Sequence, residues 1–167
     1  MEEAAVLAED VSFMNTHGTA TVYNDEMESK AIHLAGLETV PVHSLKSYFG
    51  HTLGASGVIE SIICIHELKE NVLFGTLGYE KPGVSMPILV QADHQEIPMK
   101  HCIKTASGFG GCNAAIVLTL PAYQKQSSRV QSPVTVHTTA TVSIENSCLS
   151  MNGETVFSSS ALNFAQF

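Results

Sequence analysis

The 167-residue chain carries sixteen acidic against eight basic residues, a formal charge of −8, which repels polyphosphate and weighs against nucleic acid or an anionic membrane as partner. Its length suffices for a buried core, and 44% hydrophobic with only 14% charged residues leaves a surface poor in charge, which points to a covered interface. The four cysteines, Cys64, Cys102, Cys112 and Cys148, show no C-x-x-C spacing and read as free thiols of a reducing cytoplasm. The longest apolar run, residues 58–65, is interrupted by Glu60 and Ser61 and is far too short for a membrane span.

In chain order, residues 1–8 read as the end of a helix, with the expectation that the sequence begins inside a larger fold. Residues 11–15 form a short apolar run of buried-strand type that ends almost directly on His17. The C-terminal ends of strands are where open α/β sheets bind ligands. Asp25, with Glu28 three residues on, predicts a capping box and a helix to about Leu37, with Gly36 near its end. Residues 40–45 predict a second strand with Pro41 at its first position, and this strand delivers Lys46. A glycine turn then carries His51, followed by a helix from Leu53 to about Leu68. That helix is apolar on nearly every side, which predicts burial between layers.

Glycine and proline mark residues 71–87 as loop, residues 87–90 as a short strand, and residues 101–106 and 114–120 as a hairpin closed by Ser107-Gly108-Phe109-Gly110-Gly111-Cys112-Asn113. The order β, α, β, α and hairpin indicates an α/β domain over 1–120, a mixed sheet packed on buried helices. After Pro121 the composition changes. Residues 124–133 read as linker, residues 134–144 as an exposed strand, and 121–167 as a separate β-rich tail.

A histidine by itself is more often structural than chemical, and His33, His43, His66, His94, His101 and His137 are read that way. No clustered His/Cys spacing calls for a metal. His17 and His51 stand apart because each sits in a glycine turn, one after a strand and one before a helix. Glu60 faces Lys46 if the helix orientation allows. Cys112 reads as a small core residue.

Three motifs in fixed order carry a resemblance: Asn15-Thr16-His17-Gly18-Thr19-Ala20-Thr21, then Lys46 with Gly50-His51-Thr52-Leu53-Gly54-Ala55-Ser56-Gly57, then Gly108-Phe109-Gly110-Gly111-Cys112-Asn113. Together they resemble the C-terminal half of β-ketoacyl-acyl carrier protein synthases, condensing enzymes of the thiolase fold, over residues 11–120. The resemblance implies a decarboxylative Claisen condensation of an acyl thioester with malonyl-acyl carrier protein, giving a 3-oxoacyl product in fatty acid or polyketide synthesis. By match to the motifs, His17 and His51 hold the malonyl thioester carbonyl and Lys46 orients the site. By the same match Thr19 and Thr21 hydrogen-bond the phosphopantetheine arm, Phe109 corresponds to the phenylalanine of the gating loop, whose backbone N–H helps form an oxyanion hole for the acyl-enzyme step, and Gly110 beside it joins the substrate-binding residues.

The resemblance further implies no cofactor beyond the phosphopantetheine carried by the substrate, and an acyl carrier protein, an N-terminal synthase half and a second synthase chain as partners. It places the family's nucleophilic cysteine in that N-terminal half, so the 167 residues alone are expected to be inactive. Ser107 departs from the phenylalanine of many relatives and bears on the shape of the acyl pocket. A thiolase-type acyltransferase, or a non-catalytic partner subunit, is the alternative. Preorganised donors at the developing enolate oxygen require neutral imidazoles, and the helix N-terminus after His51 is expected to disfavour the imidazolium.

Overall fold

The computed structural model describes residues 4–120 with their side chains and, beyond them, the backbone of four further strands within residues 134–158. The predicted helical end at 1–8 falls partly outside the described residues. Within 4–8 no α-helix forms, because Ala5 takes a left-handed backbone (φ 50°) that a helix does not tolerate. A 3-10 turn, Ala8–Asp10, then leads into strand β1, Val11–Asn15.

Helix α1 is Val22–Leu34. It begins three residues before Asp25 and has no side-chain cap, so the capping box predicted from Asp25 and Glu28 does not form. Its end is as the glycine signalled. Gly36 has φ 67°, the Gly36 N–H donates to His33 O and the Leu37 N–H to Ile32 O, each at 3.0 Å, and Ile32 and Leu37 are buried in one cluster. That is the Schellman arrangement with its apolar contact. Strand β2 shortens to Val42–His43, and Lys46 opens a four-residue helix, α2, Lys46–Phe49, instead of ending a strand. A 3-10 turn, Leu53–Ala55, precedes α3, Ser56–Glu70.

Strands β3, Val72–Leu73, and β4, Gln95–Glu96, pair antiparallel as a separate small sheet that the loop reading missed. Of the short strand expected at 87–90, only a single parallel bridge from Val90 to Val42 forms. The hairpin is confirmed as β5, His101–Gly108, and β6, Cys112–Thr119, in full register from His101↔Thr119 to Gly108↔Cys112.

Strand β1 lies between β2 and β5 and runs parallel to both, while β5 and β6 are antiparallel, so the sheet is mixed. Strand alternation sorts the core. Met14, Ile103 and Val117 point to the face that holds Ile32 and Leu37, and Phe13, Cys102 and Leu118 to the face that holds Cys64 and Leu68 of α3. The result is three layers, with α1 and α3 on opposite faces of the sheet. The α3 helix, however, is not apolar-buried all round. Glu60, Cys64, Glu67 and Leu68 face the sheet, whereas Val58 and Ile62 are exposed.

The tail strands β7, Val134–His137, β8, Val142–Glu145, β9, Cys148–Met151, and β10, Glu154–Ser158, follow β6 in the same sheet by antiparallel pairing. The one strand expected over 134–144 is therefore two strands paired with each other. The linker reading of 124–133 lies outside the described residues.

Candidate active site

The site forms where β1 and β2 end. His17 lies two residues past β1, and Ser44 and Lys46 lie just past β2. Gly18 joins the two turns. Its φ is 43°, and a Cβ there would lie 2.6 Å from Ser44 Cβ, closer than side-chain carbons approach, so the crossing requires glycine. Ser44 Oγ donates to Gly18 O at 2.7 Å. Glu28, freed from helix capping, braces the turn: its Oε1 accepts the His17 N–H and its Oε2 the Gly18 N–H, each at 2.8 Å. Thr105 Oγ1 and Asn24 Nδ2 donate to the same carboxylate at 3.2 and 2.8 Å.

The rings of His17 and His51, 34 residues apart in sequence, meet edge to face with centroids 5.0 Å apart and an interplanar angle of 81°. His51 Nδ1 accepts the Leu53 N–H at 3.1 Å. In the neutral ring this places the proton on Nε2, a free donor. His51 is exposed and precedes a 3-10 turn instead of α3 itself, so the helix N-terminus expected directly after it is not there. His17 is buried. Burial pushes it below the ordinary histidine range; Lys46, His51 and Lys104 act in the same direction and Glu28 opposes them.

Lys46 is buried and donates from Nζ to Glu60 Oε1 at 2.7 Å, the pairing the sequence raised. Burial lowers the lysine below its usual range against the pull of Glu60. A groove of about 840 Å³ runs past Gly18, Thr19, Thr21, Lys46 and His51, roofed by the loop from Leu77 to Val84. The hydroxyls of Thr19 and Thr21 are 2.8 Å apart. Phe109 stands at the hairpin tip, fully exposed at 103%, beside Gly110 and Gly111 at φ 81° and 83°. Neither Phe109 nor Gly110 lines the groove. Ser107 lines a second cavity of about 770 Å³ between α1 and the hairpin. Cys112, expected in the core, is exposed, because the hairpin end that carries it projects from the sheet.

The structure adds a buried polar layer that sequence reasoning missed. His43, Asn15 and Lys104 are neighbours across β2, β1 and β5, and α3 offers Glu60, Cys64 and Glu67 to them. The spacing 60, 64, 67 is one helix face; the surrounding isoleucines concealed it. Lys104 Nζ lies 2.6 Å from Glu60 Oε2, an ion-pair contact off the hydrogen-bond axis. His43 Nε2 and Glu67 Oε2 are 3.4 Å apart with both side chains inaccessible. Burial drives His43 down to about 3 and Glu67 up to about 8, so at neutral pH the contact joins two uncharged groups. Donor atoms of His43, Cys64 and Glu67 lie within 4.8 Å of one another. Spacing alone did not disclose this set, and it could take a thiophilic divalent ion only after the thiol and carboxyl lose their protons.

The layers, the parallel strand pair and the two histidine turns at its C-terminal end define a thiolase-like α/β fold. The family model for the C-terminal domain of β-ketoacyl synthases matches residues 1–80. The chain is 34% identical over 122 residues to 3-oxoacyl-[acyl-carrier-protein] synthase 2 of Vibrio harveyi, covering 70% of this chain and 29% of that protein. It is 30% identical over 118 residues to the polyketide biosynthesis malonyl-ACP decarboxylase PksF of Bacillus subtilis, covering 71% of this chain and 28% of that one. Among solved structures it superposes on AntDE:AntF, described as a type II PKS acyl-carrier protein in complex with its ketosynthase bound to the hexaketide. The TM-score is 0.64 at 29% identity over 71% of this chain and 30% of that one. The chain belongs to the β-ketoacyl synthase family and carries the C-terminal part of its fold. It spans about three tenths of the length of the curated relatives it matches.

Proposed function

We propose that this chain supplies the His/His/Lys half of a β-ketoacyl synthase that condenses an acyl thioester with malonyl-acyl carrier protein in fatty acid or polyketide synthesis. The observation that carries the reading is the meeting of His17 and His51 at 5.0 Å beside buried Lys46, from motifs placed as the family places them. In the reaction the malonyl C–C bond breaks, carbon dioxide leaves, and the electron pair becomes a thioester enolate. That carbon then attacks the acyl thioester carbon and expels its thiolate. His51 Nε2–H and the His17 ring are the donors for the enolate oxygen, where each such donor contributes on the order of 2.7 to 4 kcal/mol.

Thr19 and Thr21, which line the groove, hold the phosphopantetheine arm, which arrives with the substrate; no resident cofactor enters the scheme. Phe109, with Gly110 and Gly111 as pivots, moves against the acyl group. The cysteine that holds the acyl group belongs to the part of the relatives' length that these residues do not cover. We place the synthase region at 1–120 and treat 121–167 as an appendage to it. The partners of this reading are an acyl carrier protein, the N-terminal synthase half and a second synthase chain, in the cytoplasm. No helix among the described residues is long and apolar enough to cross a membrane.

A second reading, decarboxylation without condensation, draws on the likeness to the B. subtilis decarboxylase and on His17, His51 and Lys46, the residues proposed for decarboxylation, all lying in this chain. The test is to supply malonyl-acyl carrier protein and an acyl donor to the chain with and without a co-expressed N-terminal half, and to measure carbon dioxide and 3-oxoacyl product. Both products, only with both halves, support the synthase. Carbon dioxide alone identifies the decarboxylase, and neither product from a correctly folded assembly overturns both readings.

A further inference from the structure

Lys104 has no place in the site as the motifs define it, yet it is among the most thoroughly enclosed charges of the described residues. It is 2% exposed, and the carboxylate it faces, Glu60, is 0% exposed. Glu60 lies between two ammonium groups, with Lys46 Nζ at 2.7 Å on one oxygen and Lys104 Nζ at 2.6 Å from the other. Two buried lysines thus share one carboxylate, with Glu28 a further acidic neighbour of Lys46. Burying charge is costly unless it is well compensated, and an apolar residue at 104 would leave Glu60 paired with Lys46 alone. Packing therefore does not explain the second lysine.

Its location supplies an explanation. In the sheet Lys104 is the register partner of Asn15, two residues before His17, and the next residue, Thr105, donates to the Glu28 oxygen that accepts the His17 N–H. One dipeptide of β5 thus braces both carboxylates around the histidine. We propose that Lys104 is a positioning residue of the histidine site, a tethered cation that fixes Glu60 against Lys46 and holds the field at His17 positive. The proposal rests on the reading of His17 as a neutral donor to the substrate.

The charged and titratable groups facing His17 are Glu28 from α1, Lys46 from α2, His51 from the turn before α3, and Lys104 from β5, with Glu60 of α3 behind the lysines. Glu28 alone favours the imidazolium. Lys104 adds to Lys46 in opposing it, which keeps the ring available as an N–H donor instead of an ion-pair partner for the malonyl carboxylate.

The test is an NMR titration of the histidine Cε1–H signals in the 167-residue chain, paired with the pH profile of carbon dioxide release by the two-half assembly. Lys104→Met is expected to raise the His17 midpoint, because it removes a positive charge that opposes the imidazolium. The acidic limb of the activity profile moves with it, and Lys104→Arg restores both. A His17 midpoint unchanged in folded Lys104→Met, or shifted equally in Lys104→Arg, overturns the proposal. If Lys104→Met does not fold, Glu60→Gln gives the reverse test: the midpoint must fall, and a rise or no change overturns it. Should the midpoints move as stated while the assembly releases no carbon dioxide, the electrostatic role of Lys104 stands and the proposed function fails.

Discussion

The neutral His43–Glu67 contact imposes a pH dependence on stability that can be worked from its two shifted groups. His43 titrates near 3 in the fold against about 6.5 unfolded. Between those values the unfolded chain binds a proton that the folded chain refuses, and stability rises with pH. Glu67 titrates near 8 in the fold against about 4.3 unfolded. Over that span the folded chain holds the extra proton, and stability falls as pH rises, by about 1.4 kcal/mol per unit. The two contributions cancel between about pH 4.5 and 6.5 and leave the Glu67 slope alone between about 6.5 and 8, a loss of about 2 kcal/mol.

Glu67→Gln removes that slope while retaining the hydrogen bond from the Phe74 N–H, which reaches Glu67 Oε1 at 2.9 Å. Urea unfolding of both proteins at pH 5.5, 6.5, 7.5 and 8 measures the difference. If the wild type does not lose stability relative to Glu67→Gln between pH 6.5 and 8, Glu67 is ionised in the fold and the account of the polar layer is wrong.

His51→Ala in the assembled enzyme is expected to lower carbon dioxide release by about 10² to 10³-fold, with the circular dichroism spectrum unchanged because the ring is exposed; undiminished turnover counts against His51 as a donor. Gly18→Ala puts a Cβ 2.6 Å from Ser44 Cβ and imposes a left-handed conformation on alanine, so it should cost roughly 1–3 kcal/mol and weaken activity as the two turns separate; calorimetry and the same assay measure both. Leu118→Ala, at a fully enclosed position under α3, should lower unfolding free energy by about 2 to 5 kcal/mol; a change under 1 kcal/mol in urea would mean that this face of the sheet is not packed as described.

The hairpin of β5 and β6 was legible in the sequence because two strand-like runs flank a glycine turn, and a local rule suffices for a local pairing. His17, Lys46 and His51 were legible as a set because their motifs are contiguous. The start of α1 was misread for an instructive reason. Asp25 and Glu28 have the spacing of a capping box, but Glu28 is better employed on the His17 and Gly18 N–H groups, which only the folded turn presents to it. The burial of α3 was misread similarly. Counting its isoleucines predicts a helix apolar on nearly every side and buried between layers, whereas the sheet face opposite offers Asn15, His43 and Lys104, which draws Glu60 and Glu67 inward and leaves Val58 and Ile62 outside.

By itself the sequence determined the main strands and helices around the two histidine turns, the closing hairpin and the family resemblance, since these follow from short-range patterns and contiguous motifs. Only the tertiary structure decided which charges face one another. Lys104 and Glu60 are 44 residues apart, on β5 and α3, and their contact depends on the register of three strands and the rotation of one helix, quantities that no local pattern encodes.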